Sequence, residues 1–529
     1  MKILSAAEMQ RIDRATSEKF GIPSLTLMES AGRGVVEFLE QRFAPLPSHK
    51  ILILCGRGNN GGDGMVAARL LRDRGLKPRV ILLAEPSKVK GDAAANLERL
   101  AQCGPPEIAA DLAAWRNLRP QLEDSTLLVD ALLGTGLAKP LEGFLLEVVR
   151  DVNTRFPHAQ VVAVDLPTGV SADSGGLPGE TVHAHASVTF TAPKLAHVFP
   201  PACERAGEWV VKPIGTPLEA MERDPSLTLN LTRPEDLAWL TQARNAGAHK
   251  GNFGHVLILA GSIGKTGAAA MAARAALRAG AGLVTIATAK TALAIIAGLG
   301  AEFMTEPLPE TDAGTISLGA FDHGRLDKLV EGKSVLAIGP GIGTVLETAE
   351  LVRTAVNRYD LPLVLDADGL NAFAHCISAF RSAGGYEHPA VLTPHPGEMS
   401  RLTGEPVADI QRRRVETARD FATHHKAHLV LKGFRTLSAA PDGQVWVNPT
   451  GNPGMATGGT GDVLTGLIAG LMAQHPRRTP IEVVASAVYL HGLAGDLAAR
   501  RFGQASMIAG DVVEAIPEAF AALATGQAS

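Results

Sequence analysis

Short apolar runs alternate with amphipathic stretches along most of the chain, and the alternation predicts two α/β domains. Residues 6–20 and 25–43 repeat apolar positions at helical spacing. Residues 50–55 (KILILC) form an apolar run too short for a helix, 65–74 return to helical spacing, and 79–84 read as the next strand. Runs at 127–133, 161–165 and 187–191 continue the series. Nearly continuous apolar strands separated by helices indicate a parallel sheet covered on both faces. The pattern breaks over 214–234, where Pro217, Pro225 and Pro234 sit among polar residues without a clear period, so a linker is expected there. A second series opens at 255–260 (HVLILA) and runs through 266–278, 283–287, 335–338, 361–366, 391–393 and 428–432. Helical stretches at 461–474, 481–500 and 509–523 close it. The expected domains are therefore 1–213 and 235–529.

Composition sharpens this only in places. A chain of 529 residues is too long for one ordinary core, at about 150 residues per domain. Plentiful Ala and Gly with few aromatics suit close helix–sheet packing. A formal net charge of -4 gives no electrostatic case for nucleic acid. Cys55, Cys103, Cys203 and Cys376 are scattered, matching neither a disulfide framework nor a zinc spacing, and read as reduced thiols. The opening MKILSAAEMQRID turns polar too early for a signal peptide. No run of about eighteen apolar residues suggests a membrane span, so a cytoplasmic protein is expected.

Candidate chemistry begins after the first strand, at Gly56-Arg57-Gly58-Asn59-Asn60-Gly61-Gly62-Asp63-Gly64. Its first six residues match the GxGxxG turn of dinucleotide-binding folds. Asp63, however, would fall at the helix N-terminus where a pyrophosphate docks, and two anions there repel. Asp63 either caps that helix or joins Asn59 and Asn60 in offering polar contacts to a ligand. Two more strand ends carry acids: Asp130, followed by Gly134-Thr135-Gly136, and Asp165, followed by Leu166-Pro167-Thr168-Gly169. The carboxyl ends of parallel strands line one crevice, so Asn60, Asp63, Asp130, Asp165 and Thr168 should converge there. Oxygen ligands without soft donors suit an alkali or alkaline-earth cation better than zinc.

These motifs, with TAPK at 191–194 and LMESAG at 27–32, resemble the NAD(P)H-hydrate epimerase domain over residues 1–213. The resemblance implies a Rossmann-like three-layer α/β/α fold. It also implies substrate contacts at Asn59, Asn60, Gly61, Gly62, Asp63, Gly134, Thr135, Gly136, Leu137, Ala138, Lys139, Pro140 and Asp165. A potassium ion (K+) is implied on Asn60, Asp130 and Thr168, the last replacing the family's usual Ser. Ser30 stands where the family usually has Asn and is assigned no role. Epimerising a hydrated nicotinamide carbon needs an acid and a base, for which Asp165 and Lys194 are the candidates. Lys194 reads equally well as a solvated surface lysine.

In the second half, Gly264-Lys265-Thr266 imitates a P-loop, but that motif needs a glycine at position 259, which is Leu. The stronger signal is the run from Asn448 to Asp462 (NPTGNPGMATGGTGD) before an apolar helix. Gly458, Gly459 and Gly461 leave backbone N–H groups open at a helix N-terminus, an anion site. Asp462 would then lie beside a bound phosphoryl group, which suits a base that takes a proton from an attacking hydroxyl. The plainer reading is a glycine turn with Asp462 as helix cap. Asp366-Ala-Asp368-Gly-Leu-Asn371, Thr393-Pro-His395-Pro-Gly-Glu398 and Lys432-Gly-Phe-Arg-Thr436 stand at other strand ends, and Lys432 could bring positive charge to phosphates.

Together with KGNFGH at 250–255, this set resembles the ADP- or ATP-dependent NAD(P)H-hydrate dehydratase, whose fold is ribokinase-like. The resemblance implies nucleotide contacts at Lys432, Gly433, Phe434, Arg435 and Thr436, and at Asn452, Pro453, Gly454, Met455, Ala456, Thr457, Gly458, Gly459, Thr460 and Gly461. It places the hydrate against Ala268, Gly341, Gly343, His395, Pro396, Gly397, Glu398, Met399, Ser400, Arg401 and Asp462. The combined expectation is a bifunctional enzyme acting on the hydrates of NADH and NADPH, NADHX and NADPHX, epimerising R and S forms and dehydrating the S form. ADP is favoured over ATP as co-substrate, and Mg2+ should accompany its phosphates, though no carboxylate pair identifies the ligands. A homo-oligomer without nucleic-acid or membrane partners is expected. The alternative is a small-molecule kinase fused to a non-catalytic nucleotide-binding domain.

Overall fold

Alternation along the central strands sets the layers. In the computed structural model, which describes residues 1–137, 139–380 and 387–526, the chain divides into two compact units, Met1–Leu227 and Thr228–Ser529. The first contains strands β1 (Ile51–Cys55), β2 (Arg79–Leu82), β3 (Glu107–Ile108), β4 (Leu127–Ala131), β5 (Gln160–Val164), β6 (Ala186–Phe190) and β7 (Glu208–Lys212). They form one sheet in the order β3-β2-β1-β4-β5-β6-β7, parallel throughout. Ile51, Ile53 and Cys55 of β1 join one core with Leu39, Met65 and Leu100, while Leu52 and Leu54 join another with Trp115 and Val148. A strand buried on both faces in this way needs helices above and below. Ser24–Arg42, Asn59–Asp73 and Gly91–Gln102 cover one side, and Leu112–Leu118 with Gly143–Arg155 the other.

The glycine run after β1 corrects an expectation. From Asn59 on it lies inside the helix Asn59–Asp73, whose N-cap is Gly58, so Asp63 sits a turn in rather than at the N-terminus. A side chain at Gly61 would strike the Gly56 carbonyl, and one at Gly62 would come 2.6 Å from Met28 Sδ. The glycines thus let this helix press against the sheet and its neighbour helix.

The second unit carries β8 (Leu229–Leu231), β9 (His255–Leu259), β10 (Leu283–Ala289), β11 (Met304–Leu308), β12 (Val335–Ile338), β13 (Leu363–Leu365), β14 (Ala390–Leu392), β15 (His428–Leu431), β16 (Leu437–Ala439) and β17 (Val445–Val447). Its sheet order is β11-β10-β9-β12-β13-β14-β15-β16-β17-β8. Pairing is parallel except around β16, which runs antiparallel to both neighbours. The stretch expected as a linker is divided instead: Ile214 and Leu227 pack in the first unit, while β8 pairs with β17 in the second. Two small-residue helices, Thr266–Arg278 and Thr460–Gln474, approach so closely that a side chain at Gly466 would overlap the Ala272 carbonyl. Helix Pro480–Phe502 is long and apolar enough to cross a bilayer, which the sequence reading passed over, but 78% of that window is buried inside the structure. It packs as a core helix beside Thr460–Gln474 and Ala509–Thr525.

Candidate active sites

At the carboxyl ends of β1, β4, β5 and β6 the first unit opens a cavity of about 540 Å³. Asn59, Asn60, Asp63, Gly134, Thr135, Gly136, Asp165 and Lys194 line it. Gly61 and Gly62 pack inward instead. Leu137, Lys139 and Pro140 lie off its walls, Pro140 near Gly179. Ala138 lies outside the described residues.

Asp165 follows β5 in the left-handed region, at φ 63°, a conformation that costs a non-glycine residue energy and is common at functional sites. Lys194 is no surface lysine: it is 1% exposed, and its Nζ donates to Asp165 Oδ1 at 2.7 Å, Thr189 Oγ1 at 2.8 Å and the Phe190 carbonyl at 3.3 Å. The Thr189 hydroxyl also donates to Asp165 Oδ1, at 2.8 Å. His197 braces the pair. Its Nδ1 accepts from the Lys194 N–H at 3.0 Å, so Nε2 carries the proton and donates to the Asp165 carbonyl at 2.9 Å. Burial drops His197 to about 4, keeping the ring neutral. Burial opposes ionisation of Asp165, but the Lys194 ammonium and the Thr189 hydroxyl outweigh it and hold the carboxyl below its ordinary value. Asp63 is driven the other way, by burial and then by Asp165 and Asp13.

Asp130 and Thr168 meet as expected. Asp130 Oδ2 accepts from the Thr168 N–H at 2.8 Å and Oδ1 from its hydroxyl at 2.7 Å. Asp130 is fully buried, which raises it to about 6, with no ion-pair partner among the described residues. Asn60 Oδ1 and Asp165 Oδ2 lie 3.2 and 3.4 Å from where a Gly134 side chain would begin.

In the second unit the glycine loop ends at helix Thr460–Gln474, whose N-cap Gly459 has φ 97°. Asp462 lies in the first turn, as the sequence placed it. Beside it, Asp366 Oδ1 accepts from Lys432 Nζ at 2.8 Å and Oδ2 from the Thr465 hydroxyl at 2.8 Å, while Glu398 Oε2 stands 3.6 Å from the same Nζ. Lys432 Nζ also lies 3.4 Å from where a Gly461 side chain would begin. Burial opposes its charge, but Asp366 and Glu398 prevail and raise Lys432. Burial and then the Asp366 charge push Asp462 up to about 7.

The remaining expected residues fall around this group. His395 acts first as a helix cap: Nδ1 accepts from the Gly397 N–H at 3.0 Å, and Glu398 returns a bond to the His395 N–H at 2.7 Å. Pro396, Gly397, Met399 and Ser400 belong to that helix, Met399 fully buried, and Arg401 Nε donates to Asn371 Oδ1 at 2.9 Å. A side chain at Gly341 would come 3.1 Å from Ala268 Cβ, and the Gly343 N–H donates to Asp368 Oδ2 at 3.0 Å. Lys265, the false P-loop lysine, pairs with that same Asp368 oxygen at 2.8 Å. In the 432–436 turn, Phe434 is exposed, Arg435 lies over its ring, and the Thr436 hydroxyl donates to the Gly433 carbonyl at 2.9 Å.

Sequence reasoning missed several groups. Asp13 and Thr189 reach the first site, and His197 supports it from behind. In the second, Asp496 accepts from the Gly451 N–H and Asn452 Nδ2, both at 2.9 Å, and Arg414 binds the carbonyls of Leu431, Lys432 and Phe434. An acid set beside the buried positions of a helix, as Asp496 is in GLAGDLAA and Asp13 among Met9, Ile12 and Thr16, was the available signal.

Parallel-sheet units bearing an acid–ammonium cleft and a glycine-rich anion loop define a two-site α/β enzyme. Residues 24–196 match the family model described as YjeF-related protein N-terminus, and 256–518 match that of NAD(P)H-hydrate dehydratase. The bifunctional NAD(P)H-hydrate repair enzyme Nnr of Moorella thermoacetica is 45% identical over 526 residues, covering 98% of this chain and 96% of that protein. Its counterpart from Thermofilum pendens is 38% identical, covering 99% and 97%. The crystal structure of ADP/ATP-dependent NAD(P)H-hydrate dehydratase from Bacillus subtilis, co-crystallised with ATP/Mg2+, is 33% identical, with a TM-score of 0.48, and covers 56% of this chain and 98% of that one. The chain belongs to the family of bifunctional NAD(P)H-hydrate repair enzymes.

Proposed function

We propose that the first unit interconverts the R and S epimers of hydrated NADH and NADPH, and that the second dehydrates the S epimer using ADP or ATP. The observation that carries the reading is Asp462, set in the first turn behind an open glycine loop and beside the Asp366–Lys432–Glu398 cluster. A carboxyl near 7 is matched to proton abstraction at neutral pH. Asp462 takes the proton of the ring hydroxyl, and that oxygen takes the terminal phosphoryl group as its bond to the nucleotide breaks, releasing AMP from ADP or ADP from ATP. The ring nitrogen's lone pair then expels phosphate, and loss of a ring proton restores NADH or NADPH. Backbone N–H groups of Gly458, Gly459 and Gly461 stabilise charge on the transferring group. Lys432, tied to two carboxylates, contributes a fixed positive charge below the loop rather than a free arm reaching for phosphate.

The cation expectations fit the donors present. Asp130 is a buried carboxylate without a cationic partner among the described residues, and Thr168 Oγ1 lies against both Asp130 Oδ1 and the Leu133 carbonyl. These oxygens with Asn60 would hold K+, which would neutralise Asp130 and anchor the loop after β4. No cluster of three or more metal-binding His, Cys, Asp or Glu side chains occurs among the described residues. Mg2+ would arrive on the nucleotide phosphates, with waters completing its shell, and would offset their charge. In the first unit, Asp165 is the base of the epimerisation, held ionised by Lys194.

The test is to supply prepared NADHX and NADPHX with ADP or ATP and follow restored NADH or NADPH absorbance and released phosphate. A stable phosphorylated product in place of phosphate would favour the kinase reading, and no turnover with either nucleotide would sink the proposal.

A further inference from the structure

The first site holds an acid that neither the motifs nor the mechanism above employs. Asp13 projects from helix Ala6–Phe20 into the same cavity as Asp165 and Lys194. Its position is fixed by construction. The Leu4 N–H donates to the Pro193 carbonyl at 2.9 Å, and Leu4 pairs as a β-bridge with Lys194 itself. Ser5 and Glu8 form a capping box at the helix start, and Ala6 N–H donates to Asp173 Oδ1 at 2.6 Å. Met9 and Ile12 lock the helix into a small core with Leu4, Ala192, Met221 and Leu227. The segment that carries Lys194 therefore sets the register of the helix that carries Asp13. Within this frame Asp13 Oδ1 is buried and has no hydrogen-bond partner among the described residues. A buried polar oxygen left unpaired in a well-braced helix costs stability, and such a group calls for a functional reason.

Resting on the epimerase reading, we infer that Asp13 is the acid of the epimerisation, giving its proton to the departing hydroxyl while Asp165 serves as the opposing base. The charged and titratable groups lining the cavity with it are Arg14, Asp63, Asp92, Asp165 and Lys194. Burial raises Asp13 to about 6, Lys194 lowers it and Asp165 raises it further, so it carries a proton more readily than an ordinary aspartate. Asp63 is also pushed up, by burial and then by Asp165 and Asp13.

The step balances. The proton passes from the Asp13 carboxyl to the hydroxyl oxygen, the carbon–oxygen bond breaks, and the ring nitrogen's lone pair forms a carbon–nitrogen double bond as water leaves. Water then bonds to the other face of that carbon, the double-bond pair returns to nitrogen, and the surplus proton goes to Asp165. The next opposite epimer uses the two carboxyls in reversed roles, or cavity water returns the proton to Asp13.

The test measures R-to-S exchange in the full chain by NMR across pH 5–9 for wild type, Asp13→Asn and Asp13→Glu. An acid near 6 predicts a wild-type rate that falls as pH rises above that value. Asp13→Asn should lose that limb and about 100-fold in rate, in the range of general-acid catalysis, and Asp13→Glu should recover part of the rate with a displaced limb. Asp13→Asn matching wild type in rate and pH profile would overturn the role of Asp13. Should that variant misfold, an unmoved limb in Asp13→Glu would do the same. A wild-type chain no faster than the spontaneous exchange would instead sink the epimerase reading beneath it.

Discussion

Buried Asp165 and half-buried Asp462 are pulled in opposite directions by their surroundings, and that difference assigns their behaviour. Asp165 faces a lysine ammonium and stays ionised; Asp462, raised by burial and then by Asp366 against the pull of Lys432, holds its proton up to about 7. As a base Asp462 must be ionised, so dehydration should rise with pH through about 7 and level off above it. Asp462→Asn should lower restoration of NADH by at least about 100-fold while R-to-S exchange persists, measured on the same sample by absorbance and NMR. Lys194→Met leaves Asp165 buried without its ammonium, and breaking a buried pair costs about 3–5 kcal/mol, readable as a shift of the denaturation midpoint. Because the folded Asp165 carboxyl lies below its ordinary value, the pair contributes fully above the ordinary aspartate range. That contribution is lost as pH falls through the folded value, so the wild-type and Lys194→Met curves should converge in acid. At this scale the sequence named Asp165, Asp462, Lys194 and Lys432. It could not tell that both lysines are committed to carboxylates, since ion pairs join residues far apart in the chain.

At the scale of elements, glycine placement governs how closely backbones approach. Gly466 rests on the Ala272 carbonyl, with Ala275 Cβ 2.8 Å from where its side chain would be. Gly466→Ala should therefore separate the helices Thr266–Arg278 and Thr460–Gln474, with an overpacking cost of about 1–3 kcal/mol. A thermal melt unchanged from wild type would contradict this packing. The central strands and long helices were legible because each carries a full period of apolar positions. The antiparallel turn into β17 was missed although Pro441, Asp442 and Gly443 mark it, because its strands are three residues long. β8 was missed for a related reason: three buried residues between prolines show no periodicity until a partner strand is known.

For the whole molecule, the division falls between Leu227 and Thr228. Chains cut there should each give a cooperative unfolding transition. A cut after Pro234 would deprive the second sheet of β8 and should yield a less stable C-terminal piece by calorimetry. By itself the sequence determined the two α/β series, the order of strand-end motifs and the glycine loop before Asp462, because period and turn chemistry are local properties of the chain. Only the tertiary structure decided that Asp13 joins Asp165 and Lys194, that Asp496 and Arg414 brace the second site, and that residues 214–234 are shared between units. Those outcomes depend on which surfaces pack together, and the burial and pairing that set each carboxyl's charge exist only once the packing is made.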